Sequence, residues 1–269
     1  EEPLNKSENY NHPRLVLTPH LGASTSEAQD GVANEVVEQM LDVMEGRTPS
    51  YAVNAPLAPA ETVKEIAPFI PVCLSAGQLI SQLLDGQPES LEIFFHGDIA
   101  KYDTGVLRAS VISGFMERSS EERVSIVNAT LVAQRRGIKV TERKNEDVEE
   151  FYGNLITIEA KSTEGSSLIS GALINGQVHI VKLGSHLVDI VPSGKPWIMI
   201  NHTDRPGMIG HIGTVTGEND INIASMQVSR ENARGPALTV LGLDQEVDPE
   251  QLESIINIDD VNRVRVAHI

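Results

Sequence analysis

The last 74 residues alternate strand and helix patterns in an order that few folds can accept. A short Pro-Ser-Gly-Lys-Pro linker, residues 192–196, separates them from the rest of the chain. The periodicity predicts strand 197–203, helix 207–218, strand 221–229, strand 236–243, helix 249–256 and strand 260–267. This βαββαβ order is the signature of a ferredoxin-like sandwich, in which two helices cover one face of a four-stranded sheet.

The preceding region, residues 56–195, predicts a mixed α+β domain. A helical pattern lies near Ile80–Leu84, and the further segments are a strand at 90–95, helices at 104–117 and 122–136, and strands at 138–141, 155–160, 167–173 and 177–183. Asn175-Gly176 between the last two strands is a strong two-residue hairpin signal.

Residues 1–55 predict a loop, a short strand near Leu15, a second loop and one long helix. A capping box of Ser24 and Glu27 should begin this helix at about Ser26. Apolar residues then recur every fourth position, at Ala28, Val32, Val36, Met40 and Met44. One apolar stripe on a helix of this length needs a partner surface. The fold class is therefore α+β, in three parts: 1–55, 56–195 and 196–269.

Composition excludes several function classes. A net charge of −17 and a pI near 4.8 argue against binding to nucleic acid or to an anionic membrane surface. No apolar run approaches the ~20 residues that span a bilayer. The single cysteine, Cys73, fits a reducing compartment and a cytoplasmic protein. No His-Glu-x-x-His motif or cysteine pair predicts a metal site.

The segment Thr18 to Thr25 (TPHLGAST) carries the first candidate site. His20 follows the short β-type run, and small residues that permit close ligand approach come directly after it. Glu2 lies eighteen positions before His20. A carboxylate that orients an imidazole and raises its pKa is a natural device for moving a hydroxyl proton near neutral pH.

Hydride transfer would also need a dinucleotide cofactor. The chain contains no G-x-G-x-x-G fingerprint and begins one residue before Glu2. We therefore expect the cofactor-binding fold to precede these residues in a longer protein, and we expect this chain alone to be inactive.

The second candidate site follows the first strand of the last domain. His202, Asp204 and Asn222 are predicted to cluster between that strand, the next helix and the start of the second strand. Their side chains can recognise the ammonium and hydroxyl groups of an amino acid. The alternative is that Asp204-Arg205-Pro206-Gly207 only forms a turn and a helix cap.

These motifs together resemble the D-3-phosphoglycerate dehydrogenase family of D-2-hydroxyacid dehydrogenases. The resemblance runs the whole length and is carried by Glu2-Pro3, the block Thr18 to Asp30, Ala52-Val53-Asn54, the stretch Phe115 to Ala129, and Asp204 to Gly210 with Ile221-Asn222-Ile223. It is similar to the C-terminal portion of the long form, which has an allosteric substrate-binding domain and a terminal ACT domain.

The resemblance implies specific roles. His20 would be the catalytic acid and base, Glu2 its orienting carboxylate, and the backbone of His20, Leu21, Gly22 and Ala23 the nicotinamide side of an NAD pocket. The substrate would be 3-phosphoglycerate. L-serine would be a feedback effector at His202, Asp204 and Asn222, and the ACT domain would support a homo-oligomer, dimer or tetramer.

Two further functions stay open at this point. The chain could be a non-catalytic amino-acid-binding regulatory module, as the missing glycine-rich loop indicates. Its last domain could also serve only as a dimer interface, because exposed sheet edges need to be covered.

Overall fold

The structure is a computed structural model that describes residues 12–16, 21–45, 51, 60–120, 123–147 and 151–269. The chain divides into two compact units, residues 1–53 and 54–269, which are described separately.

The first unit contains helix α1, Ser26–Met44. It begins at the predicted residue, but its N-cap is Thr25, whose side chain accepts a hydrogen bond from the Ala28 amide at 3.2 Å. The predicted capping box of Ser24 and Glu27 is therefore wrong by one residue. Leu15 and Val16 are not in a strand, and Leu17 and Thr18 lie outside the described residues. No residue of α1 is buried.

The second unit holds two sheets and six helices in the part of the chain that the structure describes. In chain order the elements are α2 (Ala60–Ile66), α3 (Ile70–Leu83), β1 (Pro88–Gly97), α4 (Gly105–Met116), α5 (Ala129–Arg135), β2 (Lys139–Asn145), β3 (Asn154–Ser162), β4 (Gly165–Ile174), β5 (Gln177–Leu183), β6 (His186–Ile190), β7 (Pro196–Thr203), α6 (Met208–Glu218), β8 (Ile223–Arg230), β9 (Pro236–Leu243), α7 (Pro249–Ile256) and β10 (Val261–His268). Strands β1–β6 form one sheet in the order β2-β1-β3-β4-β5-β6, and β7–β10 form the other in the order β10-β7-β9-β8.

Helices α3 and α4 are packed in close contact over the six-stranded sheet. A methyl group on Gly77 would lie 2.3 Å from the Val111 carbonyl oxygen, and one on Gly114 would lie 2.3 Å from the Leu74 carbonyl oxygen. The two glycines thus let each helix backbone touch the other. Cys73 of α3 lies in the hydrophobic core, and burial raises the pKa of its thiol, which therefore stays neutral.

The segment Thr62–Leu83 is long and apolar enough to cross a membrane by length and composition, which corrects the expectation that no apolar run approaches that length. In the structure this segment is divided among α2, a 3-10 turn and α3. Six residues of α3 are buried in the core, which is the ordinary surrounding of a core helix (Val72, Cys73, Ala76, Gly77, Leu79, Ile80).

Most predicted segments of the middle region are present, with several differences. The helix predicted near Ile80–Leu84 is α3, which begins ten residues earlier, at Ile70, and ends at Leu83, and α2 was not predicted. The Asn175-Gly176 hairpin is confirmed, and both residues have positive φ, 51° and 79°. Helix α5 begins at Ala129 rather than near residue 122, because the Asn128 side chain accepts a bond from the Ser125 amide and closes a turn there. Strand β6 was not predicted, since its five residues give only a short alternation.

The six elements predicted for the last domain are confirmed. Asp248 and Gln251 form a capping box at the start of α7, with Pro249 in its first turn. One face of the sheet packs on α6 and α7 through a separate apolar cluster that includes Ile198, Ile200 and Ile255. The opposite face carries Trp197, Met199 and Val240 into the core shared with the six-stranded sheet. The fold class is therefore α+β with a C-terminal βαββαβ sandwich, as expected.

Candidate functional site

The catalytic pair predicted from sequence, Glu2 and His20, lies outside the described residues. The structure does describe Leu21, Gly22 and Ala23, which form an exposed turn. The Ser24 amide donates to the Leu21 carbonyl at 3.0 Å, and Leu21 is 58% exposed. Among the described residues, and apart from the chain neighbours of Gly22, no atom lies within 4 Å of the position that a Gly22 methyl group would take. This backbone is therefore open to a ligand and leads directly into the N-terminus of α1.

His202 lies near the end of β7 and is only 1% exposed. Its Nε2 is 2.8 Å from the Thr239 hydroxyl, and its Nδ1 is 3.1 Å from the Thr203 carbonyl oxygen. Because a carbonyl only accepts, Nδ1 carries a proton, and in the neutral ring Nε2 accepts from Thr239. Both ring nitrogens already have partners, so the imidazole can shape a site without being freely available to a ligand.

Asp204 follows β7 in the loop before α6. Its Oδ2 accepts bonds from Arg230 Nη1 at 2.6 Å and from the Arg234 amide at 3.2 Å. The hydrogen bond from Arg230 and then that from the Arg234 backbone hold the pKa of the Asp204 carboxyl below its usual range. Gly207 caps the following helix with φ of 90°, a conformation that glycine adopts without strain.

Asn222 lies just before β8 and belongs to a different network. Its Nδ2 donates to Asp244 Oδ2 at 2.6 Å, and Lys195 Nζ lies 2.8 Å from Asp244 Oδ1. The bond from Lys195 is the main reason that the pKa of Asp244 is lowered. The linker that precedes the last domain is thereby tied to the start of β8.

The structure brings His202 and Asp204 to one end of the four-stranded sheet and places Asn222 at the other. His202 pairs with Ala237 at the start of β9, whereas Ile223 pairs with Leu243 at its end. Strands β7 and β8 are both antiparallel to β9, so they run parallel to each other. The expected cluster of all three residues within one chain is therefore wrong, because α6 is a crossover that returns the chain to the opposite end of the sheet before β8 begins.

Sequence reasoning missed two partners in this region. Arg230 lies twenty-six positions after Asp204, and Thr239 lies thirty-seven after His202. Neither spacing carries a local signal, and only the strand register brings these residues together.

Other chemistry is limited. Among the residues that the structure describes, no group of three or more His, Cys, Asp or Glu side chains is placed to hold a metal ion. The His179 ring lies 2.5 Å from Asp189, on the outer strands of the larger sheet.

Comparison with known proteins identifies relatives along the whole chain. Residues 65–184 match the D-3-phosphoglycerate dehydrogenase intervening domain. The D-3-phosphoglycerate dehydrogenase of Synechocystis sp. is 36% identical over 260 residues, which cover 96% of this chain and 47% of that protein. The enzymes of the same name from Methanocaldococcus jannaschii and Bacillus subtilis are 34% and 32% identical, covering 100% and 98% of this chain and 51% and 50% of theirs. The chain thus spans about half the length of the curated relatives it matches.

Solved structures give weaker likenesses. The ACT domain of GTP pyrophosphokinase from Chlorobium tepidum aligns with 26% of this chain and 82% of its own, at 20% identity and a TM-score of 0.23. A homoserine dehydrogenase from Thiobacillus denitrificans aligns with 42% of this chain and 33% of its own, at 15% identity and the same TM-score. Scores this low carry no argument about function.

Proposed function

The chain is a relative of the D-3-phosphoglycerate dehydrogenases and carries their intervening domain, and from this premise we propose that it is the C-terminal part of such an enzyme. The intact protein would oxidise 3-phosphoglycerate to 3-phosphohydroxypyruvate with NAD, in the biosynthesis of L-serine. The match of residues 65–184 to the intervening domain is the observation that carries this proposal. We place this enzyme in the cytoplasm, which fits the single, buried cysteine.

In this enzyme His20 would take the proton of the substrate's 2-hydroxyl group, and Glu2 would hold the imidazole in the required tautomer. NAD, when bound, supplies the hydride acceptor. The turn of Leu21, Gly22 and Ala23 would form the nicotinamide side of that pocket. Its exposure supports this role, and so does the space beside Gly22, which no side chain among the described residues enters.

The test of this assignment uses the protein encoded by the complete reading frame. His20→Ala should lower turnover about 10²–10⁴-fold, the usual worth of a positioned acid-base group. His12→Ala is the matched control, since His12 is an exposed histidine of the same segment, and it should leave turnover unchanged. NADH formation followed by absorbance measures both. Full turnover of the His20→Ala enzyme would show that His20 is not the acid-base group.

For regulation, we propose that L-serine binds between two copies of the C-terminal domain. Strand β8 is an edge strand of the four-stranded sheet, and its Ala224, Ser225 and Val228 are exposed. A two-fold axis beside β8 would pair it antiparallel with its copy and complete an eight-stranded sheet. The partner's Asn222 would then reach the end of the sheet where His202 and Asp204 lie.

This arrangement suits an amino-acid ligand. Asp204 would accept hydrogen bonds from the ammonium group in competition with Arg230, and the Asn222 amide would bind the carboxylate or hydroxyl group. The assembly would be a dimer, or a tetramer if a second interface is used.

Complementation between variants tests a shared site. In calorimetry, Asp204→Ala and Asn222→Ala should each abolish L-serine binding. After subunit exchange in an equimolar mixture, each mixed dimer should bind L-serine at one of its two sites. That site takes the intact Asp204 of one variant and the intact Asn222 of the other, whereas the second site lacks both. A site built within one chain would regain none. D-serine is the control ligand.

A second candidate function is a regulatory and oligomerisation module without catalysis. Two observations favour it: residues 54–269 form a compact unit of their own, and no residue of α1 is buried. This candidate predicts serine binding and no NAD reduction by residues 1–269. Measurable NAD reduction by this chain would exclude it.

A further inference from the structure

Two glutamine side chains join the half of the second unit that holds the six-stranded sheet to the half that holds the four-stranded sheet. Gln82, near the end of α3, accepts a hydrogen bond from the His268 amide and donates one to the His268 carbonyl oxygen, both at 2.9 Å. Gln227, in β8, accepts a bond from the Asp189 amide at 2.7 Å and donates one to the Asp189 carbonyl oxygen. We call these contacts the Gln82 clamp and the Gln227 clamp.

Each clamp covers the free edge of a sheet. His268 lies in β10 and Asp189 in β6, and each of these strands is outermost in its sheet. A primary amide has an acceptor oxygen and a donor nitrogen, so it can bind both backbone groups of one residue as a neighbouring strand would. The clamps are reciprocal, because each half of the unit supplies the side chain that covers an edge of the other half's sheet.

The two clamps differ in the element that each one holds in place. Gln82 belongs to α3, a helix of the core, and its Nε2 also donates to the Gln78 carbonyl oxygen at 3.0 Å. Strand β6 has only five residues, of which Leu187 is 66% exposed, and the Asp189 side chain is 64% exposed. Elements with few buried groups open most easily. We therefore expect β6, rather than α3, to follow a movement of the four-stranded sheet.

Strand β8 connects the Gln227 clamp to the proposed L-serine site. Asn222 lies directly before β8, and Arg230, which donates to Asp204, is its last residue. Gln227 lies between them and is paired across the sheet with Val240, which faces the core shared with the six-stranded sheet. Because directly opposite residues of a sheet share a face, the Gln227 side chain points towards that core as well. One strand thus carries residues of the proposed site and the side chain that holds β6.

We propose that Gln227 is a positioning residue that transmits L-serine binding at β8 to β6, an inference that rests on the serine site proposed above. Apolar contacts between the two sheets are non-directional, whereas paired hydrogen bonds fix the direction and register of the groups that they join. Because Gln227 holds the backbone of Asp189, a shift or stiffening of β8 is passed to β6. The Asp189 carboxylate, 2.5 Å from His179 Nδ1, extends the contact to β5.

Hydrogen–deuterium exchange of the 269-residue chain, followed by peptide mass spectrometry with and without L-serine, tests this coupling. In the parent chain, L-serine should slow the exchange of amides in both β8 and β6. Gln227→Met keeps the length of the side chain and removes both hydrogen bonds. In this variant L-serine should still slow β8, while β6 no longer responds. Without ligand, β6 of the variant should exchange roughly tenfold faster, the worth of two ordinary hydrogen bonds.

Gln82→Met is the matched control, since it removes the same pair of bonds at the opposite edge of the four-stranded sheet. It should speed exchange in β10 and leave the response of β6 to L-serine unchanged. Both glutamines are half-buried, so the two substitutions are alike in surroundings as well as in chemistry. Circular dichroism confirms the folding of both variants, and D-serine is the control ligand.

A β6 response that disappears in Gln227→Met and persists in Gln82→Met supports the coupling. Slowed exchange in β8 of the parent chain without any change in β6 overturns the coupling and leaves the serine site standing. A β6 response that survives in Gln227→Met, or that is equally lost in Gln82→Met, also overturns it. No effect of L-serine on β8 of the parent chain refutes the serine site itself and the coupling with it.

Discussion

Helices α1 and α3 carry similar apolar side chains in very different surroundings. In α3, Leu79 and Ile80 are fully buried among the strands and helices of the second unit. In α1, Val32, Val36 and Met40 of the corresponding stripe are 49–60% exposed. The comparison shows that an apolar stripe predicts a buried face only where the chain also supplies the surface that covers it.

The difference separates two parts of the proposed enzyme. The apolar clusters of residues 54–269 are built from elements of that unit itself, so its packing is internal. We propose that the apolar face of α1 packs against the dehydrogenase domains of the intact protein. Most helix stability comes from tertiary packing rather than from propensity, so α1 should be weakly held in this chain.

The largest contrast is expected from one leucine in each helix. Leu79→Ala in α3 should lower the free energy of unfolding by about 2–5 kcal/mol, since it leaves a cavity in a close-packed core. Leu41→Ala in α1 should change it by less than about 0.5 kcal/mol, because Leu41 is half exposed. Urea unfolding followed by circular dichroism measures both. Equal losses would show that α1 belongs to the same cooperative core.

Replacing one glycine in each helix by alanine should change stability less than the leucine substitutions do, and in opposite directions in α3 and α1. Gly77→Ala should destabilise by about 1–3 kcal/mol, because its methyl group would meet the Val111 carbonyl oxygen and the helices would have to separate. In Gly31→Ala, the new methyl group in α1 would meet no atom of the described residues within 4 Å, so the change should raise helix stability by up to about 1 kcal/mol through propensity. Thermal unfolding and helical ellipticity follow the two changes. A neutral Gly77→Ala variant would contradict the close contact of α3 and α4.

These contrasts also show how far the sequence predicted the structure. Periodicity and turn chemistry identified the elements of the last domain and the Asn175-Gly176 hairpin, because both are local signals. The partners of His202 and Asp204 could not be found in this way, since the strand register that joins them to Thr239 and Arg230 is non-local. The same limit placed Asn222 at the wrong end of the sheet.

The smallest expected effect is on the pH dependence of stability, and it arises from Asp244 in the second unit. The pKa of Asp244 is lowered in the folded state, chiefly by its hydrogen bond from Lys195. A lowered carboxyl pKa contributes stability that is present above the unfolded value, about 3.9, and is lost as pH falls through the folded one. The free energy of unfolding of the Asp244→Asn variant should therefore fall less steeply below about pH 4 than that of the parent chain.

The control for this effect is Asp147→Asn, an exposed carboxylate in the loop after β2. Urea midpoints measured from pH 7 to pH 2.5 compare the variants. An Asp244→Asn profile that falls as steeply as that of the parent chain would show that the Lys195 pair contributes nothing.

Hydrogen–deuterium exchange of residues 1–269, resolved by peptide mass spectrometry, tests the central claim most directly. We predict that α1 amides exchange within seconds, while those of α3 and of the two sheets stay protected for hours. Protection of α1 equal to that of α3 would contradict the account, because it would mean that this chain itself holds the helix in a stable core.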